Sequence, residues 1–123
     1  MLNFLMGGGR DAGPRLSPQD IVSMATKGDI IVIDIRDPSE IRMSGKAEGA
    51  LTIPMAALRF QADRAGPDYN KAIDPDKPIA LYCASGARSG MAARMMKKMG
   101  YENVHNLGGL GHWHQAGGKV VRS

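Results

Sequence analysis

The run Ile30-Ile31-Val32-Ile33-Asp34-Ile35 constrains the fold of this 123-residue chain more than any other feature. Five of its six residues are β-branched and apolar, and the run is as long as a typical strand. Such continuity is typical of a strand buried on both faces, which occurs mainly in parallel sheets covered by helices on both sides. The apolar run 79–82 has the same character. We therefore expect an α/β protein built on an open, mainly parallel sheet.

Helix-start signals separate the predicted strands. Ser17-Pro18-Gln19-Asp20 and Asp37-Pro38-Ser39-Glu40 each combine a capping residue, a proline at the first helical position and an acid in the first turn. Strands that alternate with helices imply right-handed crossovers, in a sheet of about five strands with helices on both faces. The predicted helices are 18–27, 38–43, 55–64, 88–99 and 108–115, and the further predicted strands are a brief one at Leu16, 51–53 and 103–105.

Composition points to one ordinary globular domain. Residues 1–14 contain three consecutive glycines and no apolar period, so we expect a flexible N-terminal segment followed by a single domain over 15–123. The apolar stretch 1–6 is too short for a signal-peptide core or a membrane span, which predicts a cytoplasmic protein without a membrane partner. The net charge of +4 is not accompanied by a basic stretch interleaved with aromatics, so no nucleic-acid partner is expected.

The one cysteine lies where a predicted strand turns into a helix. Four small residues, Ala84, Ser85, Gly86 and Ala87, separate Cys83 from Arg88, and Ser89 follows. Ligands of open α/β sheets bind at this end of the strands. If the loop curls round the sulfur, its N–H groups, the helix N-terminus and the arginine all favour an anion there. This predicts a reactive thiolate with a lowered pKa rather than an inert core cysteine.

Several motifs accompany this loop: Asp34-Ile35-Arg36 with Glu40, Gly49-Ala50 with Ile53-Pro54, and Gly108-Gly109 with Trp113. Together with the Cys83 loop they make residues 15–121 resemble a rhodanese-homology domain. The resemblance implies a rhodanese-like sheet and a sulfurtransferase that needs no cofactor. In that family the cysteine takes sulfane sulfur from a donor such as thiosulfate, becomes a persulfide, and passes the outer sulfur to a thiophilic acceptor such as cyanide, a thiol or an acceptor protein.

Carried over to this chain, the resemblance makes Cys83 the nucleophile and assigns substrate binding to the loop that follows it. The residues of that predicted cradle are Ala84, Ser85, Gly86, Ala87, Arg88 and Ser89. Around them, Asp34, Arg36 and Glu40 are expected to support the structure. The Asp34 carboxylate would accept N–H groups from a neighbouring loop, and Arg36 would pair with Glu40.

Two departures from the family pattern bear on function. The chain reads Gly45-Lys46-Ala47-Glu48 where rhodanese-like chains usually have Gly-His-Ile, a change expected to alter only a surface loop. Arg88 is the only charged side chain of the active loop, so little else could hold a doubly charged donor, which puts thiosulfate in doubt as the physiological donor.

Two other functions compete with sulfur transfer by an enzyme. One is a phosphatase or arsenate reductase of the same fold. The related phosphatases have five residues between cysteine and arginine, and the four found here make a tighter ring that suits one extra sulfur atom better than a phosphoryl group. A non-catalytic persulfide carrier or a module that binds a sulfur-trafficking partner would also keep the cysteine.

The other distinctive residues have structural interpretations. Met91, Met95 and Met99 share one helical stripe and are expected in the core. Trp113 is likewise expected to pack. His112 and His114 are two residues apart, so they would project to nearly opposite sides of a helix, and we predict no metal site.

Overall fold

A computed structural model of the chain describes residues 15–122, so the predicted flexibility of residues 1–14 lies outside the described residues. Strands and helices alternate along the described part. They are α1 Pro18–Thr26, β1 Ile31–Asp34, α2 Pro38–Ser44, β2 Lys46–Ala47, β3 Leu51–Thr52, α3 Met55–Gln61, β4 Ile79–Cys83, α4 Ala87–Lys98, β5 Val104–Gly109, α5 Leu110–Gln115 and β6 Val120–Val121.

The main sheet has four parallel strands in the order β3-β1-β4-β5. Ile33, on β1, lies opposite Leu51 on one side and Leu81 on the other. The two apolar runs thus occupy the centre of the sheet, as their continuous hydrophobicity predicts. This confirms the predicted α/β class.

The strand expected at Leu16 is absent from the sheets of the described residues. Leu16 directly precedes the cap of α1 and packs against the core instead of pairing with a strand. Two short strands that the sequence did not indicate, β2 and β6, form a separate antiparallel pair. The main sheet therefore has four strands rather than about five.

The predicted caps start the first two helices. The Ser17 hydroxyl accepts the Asp20 N–H, and the Asp20 carboxylate accepts the Ser17 N–H in return. At α2 the Asp37 N–H donates to Glu40 Oε1. Helix α3 ends at Gln61, earlier than predicted, because the Asp63 carboxylate accepts the Ala65 N–H and turns the chain.

Helices cover both faces of the sheet and bury one hydrophobic cluster on each. On one face α3 and α4 supply Leu58, Ala92 and Met96. On the other, α1 and α5 supply Ile21 and Trp113. The indole of Trp113 is buried and donates to the Lys119 carbonyl at 2.8 Å, so its predicted packing role is confirmed.

The methionines of α4 only partly follow the prediction. Met95 and Met99 are partly buried and pack on the cluster of α3 and α4, but Met91 is 50% exposed. The buried face of α4 is centred on Ala92 and Met96, and Met91 lies about 140° round the helix from Met96. The expectation that Met91 belongs to the core is therefore wrong.

Within residues 15–122, no helix has both the length and the hydrophobicity that crossing a membrane would require.

Candidate active site

Cys83 is the last residue of β4 and lies at the carboxyl edge of the parallel sheet. Its neighbour on β5 is Gly109. The side chain is buried, with 1% of the residue exposed. Three residues, Ala84 to Gly86, carry the chain from this strand into α4, which begins at Ala87. The predicted position, at the junction of a buried strand and a helix N-terminus, is confirmed.

Groups of the loop and of α4 contact the sulfur. The Gly86 N–H donates to Cys83 Sγ at 3.1 Å, and the Ser89 hydroxyl oxygen lies 3.5 Å from Sγ. Gly86 adopts a φ of 111°, a conformation that glycine reaches without steric cost. This conformation lets the loop turn its N–H back toward the sulfur.

These contacts make the thiol unusually acidic. Burial alone would raise the pKa of Cys83, because it disfavours the thiolate. Hydrogen bonds from the Ser89 hydroxyl and from the backbone of Ser89, Gly86 and Ser85 outweigh burial and lower the pKa to about 7. The predicted direction of the shift agrees with this geometry.

The other loop residues form an uncharged rim. Ala84, Ser85 and Ala87 are exposed and carry no ionisable group. Strand β5 closes the site on one side, where it approaches the loop backbone so closely that a Cβ at Gly109 would lie 2.2 Å from the Ala84 carbonyl oxygen. The second glycine of the Gly108-Gly109 pair is therefore required by contact with the cysteine loop.

Arg88 is held by Glu40 through a two-pronged ion pair. Its two terminal nitrogens donate to the two carboxylate oxygens at 2.9 and 2.8 Å, with both side chains about one-third exposed. The hydrogen bonds from Arg88 lower the pKa of Glu40 to about 2. The same hydrogen bonds to Glu40 are the main reason that the pKa of Arg88 is raised, and the charge of the nearby Cys83 raises it further. The positive charge predicted beside the sulfur is thus offset by a carboxylate.

The predicted pair between Arg36 and Glu40 is wrong, because Arg36 is committed elsewhere. Its Nε and Nη2 donate to the buried Asp34 carboxylate, and Nη2 also donates to the Gly45 carbonyl. The Asp34 carboxylate accepts the backbone N–H of Arg36 itself rather than donors from a neighbouring loop. The Asp34 side chain is 0% exposed and the Arg36 side chain 4% exposed, so both are nearly inaccessible to solvent.

Tyr82 completes this buried network, and the sequence did not single it out. Its hydroxyl donates to the Asp34 carboxylate at 2.6 Å and accepts the Ala47 N–H at 2.9 Å. Ala47 is itself fully buried in β2. The segment 45–48, expected to be only a surface loop, therefore contributes to the core beneath the site.

Asn106, on β5, is a second residue that sequence reasoning missed. Its side-chain N–H donates to the Gly86 carbonyl at 3.0 Å, and its Oδ1 accepts the Ser89 hydroxyl at 2.6 Å. It thus contacts two of the residues that hydrogen-bond the sulfur, Gly86 and Ser89. The only signal in the sequence is a polar residue near the carboxyl end of a strand that follows the cysteine loop.

The histidines show no clustering. His112 accepts the Gly109 N–H through Nδ1 at 2.9 Å. Across residues 15–122, no group of three or more His, Cys, Asp or Glu side chains is arranged to hold a metal ion.

Comparison with known proteins places this site in a family. Residues 17–116 match the model of the rhodanese-like domain. A sulfurtransferase of Allochromatium vinosum is 34% identical over 80% of this chain and 84% of its own length. The thiosulfate sulfurtransferase PspE of Escherichia coli is 33% identical over 63% and 68%. An uncharacterised protein of Bacillus subtilis is 37% identical over 72% of this chain, which spans 62% of that relative.

Other similar proteins carry different names. A tRNA uridine(34) hydroxylase of Ehrlichia chaffeensis is 31% identical over 79% of this chain, but only 35% of that protein is covered. A solved structure from Rhodopseudomonas palustris, described as a protein of unknown function and possible tyrosine phosphatase, has a TM-score of 0.77 and 35% identity, covering 87% of this chain and 83% of its own. Since the family model spans most of the chain and the fold agrees, the chain belongs to the rhodanese-like domain family.

Proposed function

We propose that this protein is a sulfurtransferase that carries sulfane sulfur as a persulfide on Cys83. The observation that carries the proposal is a buried thiol with a pKa of about 7, held by the Gly86 N–H and the Ser89 hydroxyl at the N-terminus of α4. A thiolate that is present near neutral pH is the form that attacks sulfur. The relatives named sulfurtransferases support this reading.

The reaction consists of two displacements. The Cys83 thiolate attacks the outer sulfur of a donor, a sulfur–sulfur bond forms at Sγ, and the donor's own sulfur–sulfur bond breaks with its electron pair leaving on the donor. A thiophilic acceptor then attacks the outer sulfur of the persulfide, and the electron pair of that bond returns to Cys83. No external oxidant or reductant is consumed, and Cys83 ends as it began.

The loop supplies the stabilisation that this exchange requires. Its amides point at the sulfur before any substrate arrives, and preorganised donors stabilise a charged sulfur without reorganisation. We assign substrate contact to Ala84, Ser85, Gly86, Ala87, Arg88 and Ser89. The partners are a small sulfur donor and a thiophilic acceptor. A free thiol with no second cysteine in the sequence suits a reducing compartment, and we propose the cytoplasm.

Thiosulfate is a poor match for this rim. The loop residues at the surface are neutral, and the one loop cation already donates two hydrogen bonds to Glu40. A doubly charged donor therefore meets little uncompensated positive charge. We expect turnover with thiosulfate to have a high KM, and donors with one negative charge or a protein persulfide to be used more efficiently.

Phosphatase or arsenate reductase activity is a second candidate, favoured by the possible tyrosine phosphatase from Rhodopseudomonas palustris. Four residues rather than five separate Cys83 from Arg88, which leaves less room for a tetrahedral oxyanion. A non-catalytic persulfide carrier is a third candidate, since a carrier would need the same thiolate.

Steady-state assays separate the three functions. Thiosulfate, a glutathione persulfide and a protein persulfide are offered as donors with cyanide or dithiothreitol as acceptor, alongside an aryl-phosphate assay and an arsenate assay. Sulfur transfer that Cys83→Ser abolishes supports the proposal. Transfer only between protein partners would make the chain a carrier, and aryl-phosphate or arsenate turnover without sulfur transfer would replace the proposal with the second candidate.

A further inference from the structure

The hydroxyl of Ser89 has one proton and three neighbouring acceptors. Asn106 Oδ1 lies 2.6 Å from Ser89 Oγ, the Gly108 carbonyl oxygen 3.3 Å away, and Cys83 Sγ 3.5 Å away. Ser89 is fully buried, so water does not enter the competition. A hydroxyl can donate only one proton at a time. Whichever acceptor receives it does so at the expense of the other two.

The shortest of these contacts assigns the proton while Cys83 is a neutral thiol. At 2.6 Å the Ser89 hydroxyl donates to Asn106 Oδ1, and an oxygen lone pair is left to face the sulfur. In that arrangement a neutral thiol can donate to Ser89. To stabilise the thiolate, the hydroxyl must rotate toward Sγ and give up its bond to Asn106.

Asn106 can release the hydroxyl because it keeps other partners. Its Oδ1 also accepts the Gly108 N–H at 3.0 Å, and its amide N–H donates to the Gly86 carbonyl. The Asn106 residue itself is exposed, so its replacement opens no cavity in the core. Its side chain thus lies outside the core but bonds a buried hydroxyl.

We propose that Asn106 is a positioning residue that competes with the Cys83 sulfur for the Ser89 proton, and thereby sets how strongly Ser89 stabilises the thiolate. The inference deepens the proposed function, because the thiolate is the form that takes up sulfur. It concerns ionisation of the thiol, however, and can be tested without any sulfur donor.

Other ionisable groups border the site and must be held constant. They are the Arg88–Glu40 pair between α4 and α2, the Asp34–Arg36 pair with Tyr82 at the carboxyl ends of β1 and β4, Asp37 at the start of α2, and His112 on α5. Because none of them is altered in the variants below, their contributions cancel when the effect of one substitution is compared between backgrounds.

The test measures the effect of Ser89→Ala in three backgrounds: the parent, Asn106→Ala and Asn106→Asp. The readout is the pH midpoint of Cys83 alkylation by iodoacetamide on the full chain. Because Ser89→Ala removes the hydroxyl, the upward shift it causes reports how much that hydroxyl stabilises the thiolate. Circular dichroism confirms that each variant is folded.

We expect the shift to be largest with alanine at 106, because no side-chain acceptor then competes for the proton. It should be intermediate with asparagine and smallest with aspartate, whose charged oxygen holds the hydroxyl more strongly. The difference between the alanine and aspartate backgrounds should be roughly one pH unit, the size of one hydrogen bond to a charged group. Asn103→Ala, which removes an exposed asparagine just before β5, is the matched control and should leave the shift at its parental value.

An equal shift in all three backgrounds would overturn the inference, since residue 106 would then affect the thiol only through the charge of the introduced aspartate or through its bond to the Gly86 carbonyl. The reverse ranking would overturn it as well. If Asn106→Asp does not fold, the comparison between the parent and Asn106→Ala still decides the matter. Failure of the parent to transfer sulfur would remove the proposed function without touching this result.

Discussion

At the scale of single residues, the reactive cysteine is the part of the site most readable from sequence. A lone thiol between a buried strand and a run of small residues has few structural explanations, and backbone N–H groups of Ser85, Gly86 and Ser89 do hydrogen-bond it. Pairing between charged side chains was less readable. Arg36 lies four residues from Glu40, yet it bonds Asp34. Both side chains of the Asp34–Arg36 pair are buried, and a buried charge without a partner would be costly.

The contacts to the Cys83 sulfur predict how the rate of its alkylation depends on pH. The rate should rise through a midpoint near 7, since hydrogen bonds to the sulfur lower the pKa of Cys83 to about 7. Stopped-flow alkylation across the pH range measures this directly, with unfolded protein in urea as the reference. A midpoint at or above the free-cysteine value of about 8.5 would show that the loop does not activate the thiol.

The Arg88–Glu40 pair predicts that the stability lost in Glu40→Gln depends on pH. The pKa of Glu40 is lowered from 4.5 to about 2, so its stabilising contribution is fully present above pH 4.5 and is lost as the pH falls through about 2. Because both side chains are about one-third exposed, Glu40→Gln should cost no more than about 1 kcal/mol at neutral pH.

Urea unfolding of parent and Glu40→Gln at pH 7 and near pH 2 checks this expectation. The difference between the two proteins should shrink at the acidic pH. Glu48→Gln, at an exposed position in the turn between β2 and β3, is the control and should change stability little at either pH. A difference that is the same at both pH values would contradict the assigned ion pair.

Among the helices and strands, the helix starts and the central strands could be predicted from local sequence, and the short strands β2 and β6 could not. Caps and prolines act within one turn, so Ser17 and Asp37 suffice to place α1 and α2. The pairing of β2 with β6 joins Ala47 to Val120 across more than half the chain, and two-residue strands leave no periodic signal. The support of the cysteine loop by Asn106 is equally non-local and depends on the register of β4 and β5.

The contact between β5 and the cysteine loop predicts that alanine has opposite effects at Gly109 and at Gly111, two residues further on. Gly109 is extended, with a φ of −116°, so Gly109→Ala is not disfavoured by its dihedral angles. Its new Cβ would lie 2.2 Å from the Ala84 carbonyl oxygen, and the loop must move. We expect a loss of about 1 to 3 kcal/mol in stability and slower alkylation of Cys83.

Gly111→Ala is the matched control, because its Cβ would meet nothing within 4 Å and the residue lies in α5. There alanine should stabilise the helix, by up to about 1 kcal/mol, and leave alkylation unchanged. Thermal unfolding and alkylation rates of the two variants measure both effects. Equal behaviour of the two variants would show that β5 does not brace the loop.

Across the whole molecule, a buried polar network links the edge of the sheet that carries Cys83 to the small β2–β6 pair. Asp34 lies at its centre, bonded to Arg36 and Tyr82, and Tyr82 bonds Ala47 in turn. The alternation of strands and helices predicted the architecture. It could not predict which polar groups meet beneath the site, because that depends on how the segments 45–47 and 119–121 close over the sheet.

Replacing Asp34 should therefore destabilise the entire domain. Asp34→Asn leaves Arg36 buried without its counter-ion, and breaking a buried pair in this way costs about 3 to 5 kcal/mol. Denaturant unfolding compares it with Asp76→Asn, at an exposed position in the loop before β4, which should change stability by less than about 0.5 kcal/mol. A loss at Asp34 no larger than at Asp76 would show that the network does not hold the domain together.

A persulfide on Cys83 would be detected in the intact mass of the protein after exposure to a sulfane donor. We expect a species heavier by one sulfur atom, formed with at least one of thiosulfate, glutathione persulfide and a protein persulfide. Cyanide or dithiothreitol should remove the added sulfur, and Cys83→Ser should never acquire it. If none of the three donors produces such an adduct, or if the adduct forms on the Cys83→Ser variant, Cys83 does not carry sulfur as a persulfide.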